Sequence, residues 1–254
     1  MKIYGIQLDS VWENKAANHA KVRSLLAKAS PDRGSLVVLP EMFSTGFSMN
    51  VPGIAEGEKR ESEIFLSRTA QELGVVMLGG VVTTSPGGRG LNQSVIFSPD
   101  GKELARYTKM QPFNLGGEGK QYEPGREIVT FPWQGFVTAP FVCYDLRFPE
   151  LFRAAARRGA QLVVVIASWP VKRIHHWVTL LQARAIENLA YVVGVNRCGD
   201  DPKYSHNGHS IIVDPHGAIL VDAGEKEGVM SAEVSVEEVV SWRNEFPALK
   251  DMRP

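Results

Sequence analysis

The 254 residues carry 28 Lys plus Arg against 28 Asp plus Glu, so the formal charge is zero and no basic surplus is available to bind nucleic acid or an anionic membrane surface. With 44% hydrophobic and 22% charged residues, the composition is that of an ordinary globular enzyme, and the length suits one α/β domain over 1–254. No run approaches the roughly 20 apolar residues of a membrane span, and two cysteines, Cys143 and Cys198, make no disulfide framework, so a reducing, cytoplasmic setting is expected.

The chain opens on an alternating apolar and polar run at 2–8, which reads as a first strand and not as a signal peptide. Helical periodicity follows at 14–29, a short apolar strand at 36–39, and a second helix at 59–73. Strand-like runs at 75–82, 93–97 and 137–142 lead to a helix at 150–158. A continuously apolar strand at 162–167 precedes a helix at 174–189, where Ile174, Trp177, Val178, Leu181 and Ala185 share one face. Further strands are expected at 191–195, 210–213 and 228–233. Strands outnumber helices, so strict βαβ alternation does not hold. Two packed sheets with helices outside would bury both faces of each sheet and explain the unbroken apolar runs.

Three strand ends carry reactive residues. Leu36-Val37-Val38-Leu39-Pro40-Glu41 places a carboxylate directly after a buried strand and a proline, where it suits a general base; taken alone it is equally an ordinary loop acid. Tyr107-Thr108-Lys109 offers a fixed positive charge for an oxyanion, or a snorkelling surface lysine. Phe141-Val142-Cys143-Tyr144-Asp145-Leu146-Arg147-Phe148-Pro149-Glu150 puts a cysteine at a strand–turn–helix junction, with Pro149 suited to open the helix. That geometry exposes a sulfur and aims backbone N–H groups at one point. A lone buried cysteine is an inert small hydrophobe, but the flanking Asp145, Arg147 and Glu150 speak against a purely apolar setting. Phosphate-loop, dinucleotide and serine-elbow motifs are absent, and Cys198, His206 and His209 lack a fourth ligand at zinc-finger spacing.

In this order the three segments resemble the nitrilase superfamily of carbon–nitrogen hydrolases, from the first strand to about Glu233. Gly117-Glu118-Gly119 lies where that family carries a second glutamate, and Ala183-Arg184-Ala185-Ile186-Glu187-Asn188, Gly208-His209-Ser210 and Asp214-Pro215-His216-Gly217 resemble its later landmarks. The resemblance implies a four-layer α-β-β-α sandwich, no cofactor or metal, and pairing as homodimers through outer helices. Nitrilases proper follow the cysteine with Trp-Glu, whereas Tyr144-Asp145 stands here. The elbow is similar to that of ω-amidases, which deamidate dicarboxylate monoamides such as 2-oxoglutaramate or 2-oxosuccinamate, and Trp169-Pro170 is similar to bacterial members of that branch. N-carbamoyl amino acid hydrolases share a related elbow and are the alternative. A non-catalytic scaffold on the same fold has no need of the full Glu–Lys–Cys set.

On this reading Cys143 attacks a small-molecule amide, Glu41 moves the proton, and Lys109 with the Tyr144 backbone N–H holds the oxyanion. Lys109 is also expected to favour the thiolate. Glu118 is the second acid, orienting Lys109 or the leaving nitrogen. Arg147 suits the distal carboxylate of the substrate because a guanidinium binds it bidentately, although an ion pair with Asp145 or Glu150 is an equal alternative. Phe43, Tyr144 and Trp169 are candidates to wall the pocket, or are simply core.

Overall fold

The computed structural model describes residues 1–253. Its first sheet is built from β1 (Lys2–Gln7), β2 (Leu36–Val38), β3 (Val76–Thr84), β4 (Gly90–Phe97) and β5 (Glu103–Thr108). Its second contains β6 (Phe131–Trp133), β7 (Phe136–Val142), β8 (Leu162–Ala167) and β9 (Tyr191–Asn196). A small hairpin, β10 (Cys198–Asp200) and β11 (Ser205–Asn207), precedes β12 (Ile211–Val213) and β13 (Ile219–Asp222), which complete the second sheet, and β14 (Gly228–Glu233), which returns to the first. The spatial orders are β14-β1-β2-β3-β4-β5 and β13-β12-β9-β8-β7-β6. The helices are α1 (Lys15–Ala29), α2 (Val51–Ile54), α3 (Glu61–Leu73), α4 (Glu118–Gln121), α5 (Pro149–Arg157), α6 (Ile174–Asn188) and α7 (Val236–Glu245).

Strand alternation explains the layering. In β2, Leu36 and Val38 join a core shared with Phe141, Val163 and Val165 of the second sheet, while Val37 faces Val22 and Leu26 of α1 and Phe65 and Leu66 of α3. Every residue of β2 is therefore buried, each face for a different reason. Trp177, Leu181 and Ala185 place α6 on the other side of the second sheet. The result is the four-layer α-β-β-α sandwich.

Helix ends follow local chemistry. Asn14 caps α1 by accepting from the Ala17 N–H, so that helix starts at Lys15 and not at 14. Arg60 adopts a left-handed backbone and delays α3 to Glu61. Pro149 opens α5, as its fixed φ suits a first helical position. The strands β6, β10, β11 and β13 were not anticipated from sequence. Three of them are only three residues long, too short for a period to stand out even where Phe131 and Trp133 of β6 are buried, and β13 is mostly solvent-facing. Nor was α7, whose only buried side chain is Val239.

Three strand ends of this frame converge. The β2–β3 ladder continues through Leu39 N–H donating to Leu78 O (2.8 Å) and Gly80 N–H to Pro40 O (3.1 Å), which carries Glu41 just past the strand. The β4–β5 ladder continues through Lys109 N–H to Asn92 O (2.8 Å). Close approach at the first end requires a glycine: a Cβ on Gly80 would lie 2.4 Å from Met42 N, 2.7 Å from Glu41 Cα and 2.8 Å from Pro40 O. All three are backbone atoms that cannot rotate away. Gly80→Ala should therefore cost about 1–3 kcal/mol in urea denaturation. An unchanged midpoint would show that the Glu41 turn is looser than this packing implies.

Candidate active site

Glu41 is 1% exposed, yet its carboxylate is well supplied with donors. Oε1 accepts from Asn92 Nδ2 (2.7 Å) and Lys109 Nζ (2.9 Å), and Oε2 accepts from the Ser168 backbone N–H (2.8 Å). Those donors come from β4, from the end of β5 and from the end of β8, so both sheets hold one side chain. Without them, burial of the charge would be strongly unfavourable.

Lys109 is equally enclosed. Its ammonium donates to Glu41 and to both oxygens of Glu118, at 3.0 and 2.8 Å. Burial by itself would lower the lysine pKa, but the Glu118 and Glu41 carboxylates outweigh it and hold the ammonium well above its usual range. Glu118 opens α4 directly after Gly117, which turns the chain with φ +89°. It also accepts from Asn92 Nδ2 (2.9 Å) and the Phe113 N–H (2.6 Å). Two carboxylates and one ammonium leave one net negative charge in the interior, and Asn92 donates one N–H to each acid.

Cys143 begins a five-residue 3₁₀ turn straight after β7, with φ +48°. That left-handed backbone is unfavourable for a residue with a Cβ, and the surroundings must impose it. Asp145 does so from inside: its carboxylate accepts from Val142 N–H (3.0 Å), Gln111 N–H (2.8 Å) and Tyr107 Oη (2.8 Å). Burial pushes Asp145 up to about 7, against the pull of those donors and of Lys109.

The Cys143 thiol is held well above its usual range by burial first and by the Glu41 charge second. Lys109 and the Ser168 amide pull the other way and are outweighed. Lys109 therefore favours the thiolate, as expected, but too weakly to overcome burial and the Glu41 charge. The lysine charge is already shared between two acids, so the resting sulfur keeps its proton.

The sulfur lies at the floor of a cleft of about 370 Å3, open mouth included, with Tyr144, Arg147 and Trp169 along its walls. Phe43 is not among the lining residues. It is fully buried on the opposite face of the first sheet, against His19 and Phe65. Residues 41–45 form a turn with Met42 at φ +46°, which breaks the alternation that would keep positions two apart on one face and so separates Phe43 from Glu41. Arg147 pairs with neither Asp145 nor Glu150; it bonds His176 Nδ1 (2.9 Å) and lies over the Trp169 ring at 5.0 Å.

Sequence reading missed Phe47, Phe113, Ser168, Arg173 and Tyr204 in the cleft and Asn92 beneath it. Asn92 left one faint signal, an amide at the head of a strand that is otherwise buried. The rest sit on loops or turns without periodicity. Cys198 and His206 lie on the β10–β11 hairpin, and His209 bonds Asp222 (3.0 Å) instead. Among the described residues no group of three or more His, Cys, Asp or Glu is placed to hold a metal.

The carbon–nitrogen hydrolase family model matches residues 5–244. A 2-oxoglutaramate amidase of Bacillus subtilis is 32% identical, over 98% of this chain and 96% of its own. An omega-amidase of Yersinia enterocolitica is 38% identical, over 99% and 96% respectively. A solved CN-hydrolase superfamily protein of Xanthomonas campestris, with an arsenic adduct in its active site, superposes with a TM-score of 0.93. It is 32% identical, with 100% of this chain and 97% of that one covered.

The double donation by Asn92 gives a direct test of the buried network. Asn92→Leu should destabilise the fold by about 1.5–3 kcal/mol for each lost bond to a carboxylate. Asn92→Asp should cost more, since it replaces a shared donor with a third buried anion. Urea denaturation of the three proteins at neutral pH ranks them. An Asp variant as stable as wild type would mean that the cluster carries no net negative charge.

Proposed function

The chain belongs to the carbon–nitrogen hydrolase family and is a hydrolase of carbon–nitrogen bonds, and from that premise we propose that it is an ω-amidase. It would release ammonia from dicarboxylate monoamides of the 2-oxoglutaramate or 2-oxosuccinamate type through a thioester on Cys143. The observation that carries this is the strained cysteine at the cleft floor, beside a buried Glu41–Lys109–Glu118 network. The activities of the Bacillus and Yersinia relatives support the substrate class.

The reaction follows from the protonation states. Cys143 rests as a thiol, so Glu41 takes its proton as the sulfur attacks the amide carbonyl. The oxyanion is received by the Tyr144 backbone N–H and by Lys109, which frees one N–H by loosening its two-oxygen contact with Glu118. Losing one such donor typically costs about 100- to 1,000-fold in rate. Glu41 then gives its proton to the departing nitrogen, and ammonia leaves with the carbon–nitrogen bond broken. Water attacks the thioester with Glu41 again as base, and the expelled sulfur recovers a proton. Glu118 keeps Lys109 in place throughout. Arg147 takes the far carboxylate of the substrate, and Tyr144 and Trp169 wall its chain.

One domain suffices, because the first sheet supplies Glu41 and Lys109 and the second supplies Cys143. The need for a free thiol fits a reducing cytoplasm. Pairing of two copies through outer helices belongs to the same reading, with Ile186 on α6 leaving 53% of its surface exposed.

An ammonia-release screen over short ω-amides and N-carbamoyl acids tests the substrate class. Release of carbon dioxide together with ammonia from the carbamoyl compounds, and not from the amides, would replace ω-amidase by carbamoylase. Cys143→Ala should abolish turnover and Cys198→Ala should retain it, since Cys198 is buried in the hairpin with its thiol pushed up to about 11 by desolvation and Asp9. Mass spectrometry with a slow amide should find the acyl group on Cys143. Glu41→Gln should lower kcat roughly 100- to 10,000-fold with the fold intact; full activity would move the base elsewhere, with Glu118 first in line.

A further inference from the structure

The cleft is electrically polarised from floor to mouth. Beneath it Glu41, Lys109 and Glu118 sum to one negative charge. Its lining contains two charged side chains, Arg147 and Arg173, and no acid. Neither guanidinium has a carboxylate partner among the described residues. Each instead lies over an aromatic ring, Arg147 over Trp169 at 5.0 Å and Arg173 over Phe113 at 5.5 Å.

Trp169 ties the two cations into one structure. Its ring carries the Arg147 guanidinium, and its Nε1–H donates to the Arg173 carbonyl (2.9 Å), fixing that residue at the end of the short turn ahead of α6. A ring face attracts a guanidinium without accepting all of its N–H groups, so most of them stay free for a ligand. Arg147 gives one N–H direction to His176 Nδ1, which must be unprotonated to accept it. His176 is indeed held below the usual histidine range by desolvation and by His175, Arg147 and Arg173. Of the five N–H groups on each guanidinium, four remain free on Arg147 and five on Arg173.

We infer that Arg173 completes a two-guanidinium carboxylate clamp with Arg147, and that this pair selects ω-amides whose far end is an anion without an ammonium. This rests on the amidase reading and sharpens it. A neutral amide enters toward the negative floor while its carboxylate stays at the positive mouth, which orients the substrate. An α-amino acid amide of equal length brings a third cation to the two arginines and is disfavoured, whereas a 2-oxo or unsubstituted acid is not. Arg173 is thus a specificity-determining residue, remote from bond cleavage.

The test is kcat/KM for glutarate monoamide, L-glutamine and pentanamide in wild type, Arg173→Gln and Arg173→Lys. Wild type should prefer the monoamide over both others. In Arg173→Gln the monoamide-to-pentanamide ratio should fall about 10- to 150-fold, the usual effect of losing a hydrogen bond to a charged group. The monoamide-to-glutamine ratio should fall as well, because the repulsion of the ammonium is relieved. Arg173→Lys should restore discrimination against glutamine, which needs only charge, and recover the first ratio incompletely, which needs the planar fork. Glutarate should inhibit pentanamide hydrolysis competitively, with a Ki raised by Arg173→Gln. Ratios and Ki unchanged within threefold, or equal losses on all three substrates, would overturn the clamp while leaving the amidase intact. Folded wild type that releases ammonia from none of the three would instead overturn the amidase reading itself.

Discussion

A lysine ammonium shared by two buried carboxylates is the constraint on which the rest of this molecule depends. Lys109, Glu41 and Glu118 are each almost wholly removed from water. Charges so placed are tolerated only when paired and when their remaining hydrogen-bond capacity is filled. Here filling it requires the side chain of Asn92 and main-chain amides of Phe113 and Ser168, contributed by both sheets. The sandwich can close in one register only, because a slip of one residue in β4 would turn Asn92 to the other face.

The same network sets the state of the Cys143 thiol. With the ammonium divided between two acids, little positive potential is left for the sulfur, and desolvation keeps Cys143 protonated. A resting thiol is less prone to stray oxidation than a thiolate. It is also a workable nucleophile when a carboxylate stands ready to take its proton. The backbone contributes separately: Asp145, bonded to Val142, Gln111 and Tyr107, forces the left-handed turn that presents the sulfur to the cleft. In the mechanism we propose, proton transfer and presentation therefore fall to different acids, Glu41 and Asp145.

Polarity runs through the design. The anionic network lies under an apolar, aromatic-walled cleft whose lining carries two guanidiniums. In a site of low dielectric such a charge arrangement is suited to orient a ligand before it reaches Cys143. Cation–π contact with Trp169 and Phe113 favours the arginines without neutralising them, which acidic partners would have done.

The sequence by itself determined the chemistry of the strand ends. Pro40-Glu41, Thr108-Lys109 and the Cys143 elbow are legible because a reactive residue at the end of an apolar run is a local pattern. The layered fold followed from unbroken burial of strands such as 162–167, since only two covered faces can hide every side chain. Glu118 was legible by resemblance, not by any pattern of its own. Only the tertiary structure decided which residues complete the site. Asn92 reaches Glu41 across 51 residues and Ser168 reaches it across 127, and no periodicity encodes such pairings. It likewise moved Phe43 to the far side of the sheet, released Arg147 from both nearby acids, placed Arg173 in the same cleft, and left the cysteine protonated. Each of these depends on distances and burial between segments remote in the chain, and electrostatic balance exists only once those segments are packed.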